Sequence, residues 1–227
     1  MQTEGFLIVL QPAVSLALYA ASDMARRSAQ ALQELREALA DFPPERYRGI
    51  SRHPLMAYPS LDSGIIRAFE ETGCDMKSDA TARRVFCEIL GELDEDADAQ
   101  IDEDLLPTLA DARSVLSLVD TPRRWEIIRV SRGEDADVPT LLGFDIGYWG
   151  GDHFSLIADT IVAPCWHPPA LDDLAELRQA LVGLNENLLF RSRDEAERFR
   201  EYYKSKPWAE TEDSVGEFCI IRVDGVD

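Results

Sequence analysis

Positive charge is the scarcest resource of this 227-residue chain: 23 Lys and Arg stand against 43 Asp and Glu, for a formal net charge of −20. Such a surface repels phosphate backbones and anionic membranes, which argues against nucleic-acid and membrane-surface partners. Cysteine and histidine are also sparse, at four and three residues. Cys74, Cys87, Cys165 and Cys219 form no C-x-x-C pair, and two of them lie in apolar runs, where Cys acts as a small hydrophobe. No disulfide framework is expected, which fits a reducing compartment and a cytoplasmic location. Missing too are a Walker A loop, G-x-G-x-x-G, H-E-x-x-H and G-x-S-x-G. Phosphate cradling, zinc-protease chemistry and the serine-hydrolase elbow therefore lack support, and no cofactor is expected.

Long apolar runs are absent as well. Residues 6–21 are the nearest to one, but Glu4 stands where a signal peptide is positive, and Gln11-Pro12 interrupts the stretch. Nothing else has the length to span a bilayer.

What is present is an ordinary globular composition, 45% hydrophobic and 29% charged, with both helical and strand periodicity. Phe6-Leu-Ile-Val-Leu10 reads as a buried strand, followed by a turn and a second strand at 15–20. Ala25, Leu32, Leu35, Leu39 and Phe42 share one face of a helix over 22–42, stopped by Pro43-Pro44. Further helices are expected near 65–69, after Ser78, and through Leu105, Leu109, Ala112 and Leu116.

The second half changes character. Residues 125–130 read as a strand. In 140–148, Leu142, Phe144, Ile146 and Tyr148 alternate with Leu141, Gly143, Asp145 and Gly147. Gly150-Gly151-Asp152 signals a turn into a strand over 155–162. Leu171, Leu174, Leu177, Leu181 and Leu184 mark a helix, and Ser192-Arg-Asp-Glu195 is a capping box that opens another, burying Ala196, Phe199 and Tyr203. A closing strand spans 218–223. Strands joined by hairpins point to an antiparallel sheet, hence an α+β fold with a largely helical N-terminal half and a C-terminal half of sheet with two helices. The expected organisation is a single domain over 1–227, with a possible sub-boundary at 119–124.

Candidate sites are few. The stretch 92–104 holds eight acidic residues and no basic one. Asp94, Asp96 and Asp98 have the spacing that opens an EF-hand loop, but Ala99 replaces the turn glycine and Leu105 the closing glutamate, so a calcium loop is rejected. His153, Cys165 and His167, with Asp152 or Asp145, could offer zinc-type ligands, or Cys165 a nucleophile with a histidine base. Against this, C-x-H is not a usual ligand spacing, and a straight nine-residue strand would hold His153 and His167 about 30 Å apart. Loop aromatics Trp149 and Trp208, ringed by acids, have the rigid area that anchors protein interfaces. Trp149, Asp152, Trp208, Asp94, Asp96 and Asp98 are therefore the candidate partner-binding residues, although core packing is the simplest reading of each aromatic taken singly.

The segment Leu141-Leu-Gly-Phe-Asp-Ile-Gly-Tyr-Trp-Gly-Gly-Asp-His-Phe-Ser155 resembles strand-turn-strand segments of small bacterial proteins encoded beside secreted toxins. So do Pro207-Trp-Ala-Glu210 and Glu217-Phe-Cys-Ile-Ile-Arg-Val223. The plan resembles an immunity protein, which implies stoichiometric, non-catalytic inhibition of a basic toxin by direct binding. The resemblance carries over no functional residue. Two other expectations stand beside it: a hydrolase or metal-dependent enzyme using Asp152, His153, Cys165 or His167, and a regulatory or scaffold module with a different protein partner.

Overall fold

A computed structural model describes residues 4–10, 29–50, 105–118, 125–132, 140–148, 154–162, 173–209 and 217–226. Its elements are β1 (Glu4–Leu10), α1 (Ala29–Ala38), α2 (Leu109–Leu116), β2 (Trp125–Ser131), β3 (Leu141–Tyr148), β4 (Phe154–Ser155), α3 (Leu174–Ala180), α4 (Arg193–Lys204) and β5 (Phe218–Gly225). The strands form one antiparallel sheet in the order β1-β2-β5-β3-β4. The fold is mixed α+β. Most of the expected helical N-terminal half, the strand at 15–20, the helices near 65–69 and after Ser78, and the junction at 119–124 lie outside the described residues.

β1 pairs with β2 along its whole length, and Phe6 exchanges two backbone hydrogen bonds with Leu106 on the other edge. β5 is the central strand, buried on both faces from Phe218 to Asp224. The same core takes in Leu7, Ile128, Val130, Ile146 and Ile221 with Leu177, Leu181, Phe190, Phe199 and Tyr203.

Helix boundaries follow their local chemistry. The Thr108 hydroxyl accepts from the Asp111 amide and starts α2, which buries Ala112 and Val115. The expected capping box is formed: Ser192 Oγ accepts from the Glu195 amide, and Glu195 Oε2 accepts from the Ser192 amide. α4 then buries Ala196, Phe199 and Tyr203. α1 stops at Ala38, short of the expected Phe42, because residues before Pro43 and Pro44 are driven out of helical geometry. The helix expected through Leu184 ends at Ala180 and tightens into a 3₁₀ turn, Leu181–Gly183.

Two expectations are corrected. The strand over 155–162 is only Phe154–Ser155, and the chain then turns into helical geometry, with a π turn at Ala158–Val162. Ser155 Oγ accepts from the Ala158 amide and Thr160 Oγ1 donates to the Leu156 carbonyl, so hydroxyl groups supply local bonds that compete with a ladder. Without that strand, the 30 Å separation argued for His153 and His167 has no basis; both residues lie outside the described set. The alternation of β3 is also broken. A register shift between Leu141 and Gly143 places Leu141 opposite Asp224, on the face of Phe144 rather than of Gly143.

Gly143 has φ +147°, and a Cβ there would stand 2.6 Å from Leu189 Cβ and 2.9 Å from the Phe190 carbonyl oxygen. Both neighbours are fixed, since Phe190 and Phe144 exchange backbone hydrogen bonds. Gly143→Ala is expected to destabilise the fold by roughly 2–4 kcal/mol in urea denaturation, and a loss under ~1 kcal/mol would show that the bulge is not constrained.

Candidate functional site

The most concentrated polar chemistry among the described residues surrounds Asp145, a fully buried carboxyl group. It sits in β3 opposite Ile221, between Gly143 and Gly147 on the same face. Oδ1 accepts from Ser155 Oγ at 2.7 Å and from the Ile146 amide at 2.8 Å. Oδ2 accepts from Tyr47 Oη at 2.6 Å and from the Ile50 amide at 3.0 Å. Four donors thus meet one carboxylate, and none of them is cationic.

The local sequence explains each donor. The 3₁₀ turn Pro44–Arg46 ends at Tyr47, which lays its ring into the core and its hydroxyl on Asp145. Gly49 is needed beside it, because a Cβ there would lie 2.3 Å from Asp145 Oδ2 and 2.5 Å from Tyr47 Oη. Ser155 arrives through the short β3–β4 hairpin, opposite Gly147.

Burial pushes the Asp145 carboxyl above its ordinary value, while Tyr47, Ser155 and the two amides pull it back. Burial, with Asp145 as its neighbour, pushes the Tyr47 phenol well up. The geometry accepts either protonation state of the acid. As an anion, Asp145 receives the Tyr47 proton. As a neutral acid, it can donate to Tyr47 Oη, which then donates to the Ile50 carbonyl oxygen 3.0 Å away.

This arrangement fastens residues 47–50 and 155–158 to the sheet. Its oxygens are already engaged and sealed from solvent, so Asp145 does not present the open lone pairs expected of a zinc ligand. Among the described residues no three His, Cys, Asp or Glu side chains are grouped to hold a metal. A buried ion pair lies on the opposite face, where Arg222 Nε and Nη2 donate to the Asp224 carboxylate at 3.0–3.1 Å.

Of the six candidate partner-binding residues, Trp208 alone is described. It is half-buried: its ring meets Tyr203 edge-on at 5.5 Å and its Nε1 donates to Asp173 Oδ2 at 2.9 Å. That bond occupies the Asp173 side chain, which makes no cap to α3. Trp149, Asp152, Asp94, Asp96 and Asp98, like His153, Cys165 and His167, lie outside the described residues. Tyr202 stands one helical step from Tyr203, and burial together with Glu176 and Asp173 pushes its phenol up to about 12. Sequence reading named Asp145 and Ser155 but not Tyr47, Gly49 or Ile50, whose role appears only when 47–50 meets β3.

The sign of the Asp145 contribution follows from a folded value above 3.8. Its stabilisation is fully present below the ordinary carboxyl value and is lost as pH rises through the raised one. The stability of the protein relative to Asp145→Asn is therefore expected to fall with rising pH across that window; a rise would contradict the burial argument. Tyr47→Phe removes a donor and is expected to cost about 1–3 kcal/mol. Followed by carboxyl ¹³C shifts, it should also move the Asp145 midpoint further up.

No protein family, curated protein or solved structure matches the chain. No described helix is long and apolar enough to cross a membrane.

Proposed function

We propose that this chain is a cytoplasmic protein-binding inhibitor of the immunity type, which neutralises a basic bacterial toxin by forming a stoichiometric complex and catalyses no reaction. The observation that carries the reading is the net charge of −20. Such a field speeds encounter with a cationic protein and rejects anionic competitors. A nuclease-like toxin must itself be basic to hold its substrate, which makes it a natural counterpart. Asp145, Tyr47 and Ser155 support the non-catalytic reading by serving as internal fastenings. In this reading the N-terminal half is largely helical, and the contact surface includes the Trp149–Asp152 tip and the acids Asp94, Asp96 and Asp98. Trp208 contributes only the part of its ring not held against Tyr203.

Native mass spectrometry of the protein purified gently from its host tests the proposal. The expected result is a stoichiometric complex with a basic polypeptide, whose association rate falls steeply with added salt. A lone chain carrying zinc, or a small molecule held by His153, Cys165 or His167, would overturn it and return attention to those residues. With the partner in hand, replacing Trp149 and Asp152 by Ala is expected to weaken the complex by about 2 kcal/mol or more. Unchanged affinity would remove that tip from the interface.

A further inference from the structure

Between α3 and α4 lies an open groove of about 510 Å³. That is within the usual range for small-molecule sites, roughly 300–1,000 Å³. Its accessible apolar surface comes from Ala180, Val182 and Tyr202, with the buried rings of Phe190 and Phe199 behind them. Val182 is 59% exposed, the most exposed large apolar side chain among the described residues. Two acids and two arginines also line the groove, so its formal charge is nil, but the four are not equally engaged.

Glu195 is bound back to the Ser192 amide in the capping box, and Glu176 is paired with Lys206. Arg191 and Arg198 are exposed, and neither has a carboxylate within ion-pair distance among the described residues. The unmet charge of the groove is thus positive, on a protein whose overall charge is −20. The sign is inverted beside an apolar floor.

The two arginines precede Tyr202 along the α4 side. Glu176 and the Lys206 ammonium lie by the Tyr202 ring, the latter 4.7 Å from its centre. A ligand with an anionic end and an apolar body therefore meets what the groove offers: Arg191 and Arg198 for the anion, the exposed surface of Val182 and Tyr202 for the body. Guanidinium groups suit a planar carboxylate, which each can bind through two parallel N–H donors. We propose that this groove is a binding site for a small organic carboxylate with an apolar body, independent of the toxin-inhibitor reading.

The test uses the full ¹⁵N-labelled chain, titrated with 3-phenylpropionate and with its uncharged counterpart 3-phenylpropanamide. The expected result is that the carboxylate shifts amide signals of 180–183 and 191–202, and that the amide binds at least about fivefold more weakly. Arg191→Gln with Arg198→Gln should bring the two probes to equal affinity. Both side chains are exposed, so the double variant is expected to keep its spectrum elsewhere. Absence of shifts in the groove, equal binding of the two probes by the unaltered protein, or a carboxylate preference that survives in the double variant would each overturn the proposal.

Discussion

An ionisable group buried without a counter-ion is the constraint around which the described structure is arranged. Asp145 is taken from water with only hydroxyl and amide donors to meet it. Leaving such a group short of partners is among the larger penalties available to a fold. The surroundings answer it point by point. Small residues flank it on its own strand, Gly49 admits the turn that brings Tyr47 and the Ile50 amide, and the β3–β4 hairpin delivers Ser155. Three parts of the chain are thus set in place by one side chain, more specifically than apolar packing alone would set them.

What could be read in advance was local. The strand character of 141–148, the run of β1 and the Ser192–Glu195 box each signal within a few residues, and each appears as an element, although the alternation of β3 is broken at its start. What could not be read depends on distant partners or on competition. Nothing near Asp145 announces Tyr47, almost a hundred positions earlier. The β-rich composition of 155–162 is outweighed by two hydroxyl bonds that turn the backbone helical. Arg222 and Asp224 stand in a strand that reads as apolar, and only their position on one face lets them satisfy each other. Trp208 has the profile of an interface aromatic, yet much of its surface is used against Tyr203 and Asp173. All six candidate contact residues are named from sequence, and only Trp208 is among the described residues.

The polar chemistry of the interior and that of the surface therefore play different parts. Inside, among the described residues, the Asp145 and Asp224 carboxylates are held by donors from the chain itself. Across the chain, acidic side chains outnumber cations and set a long-range field, while the α3–α4 groove presents two arginines that hold no acid among the described residues.

The place of β5 has a temporal consequence. The strand formed last in the chain lies at the middle of the sheet, between β2 and β3. Without residues 218–225, the described strands make two separate ribbons, β1–β2 and β3–β4, with no ladder joining them. Joining the two ribbons is thus a long-range event that waits for the last of the five strands, and a sheet edge without its neighbour is a template for pairing with another chain.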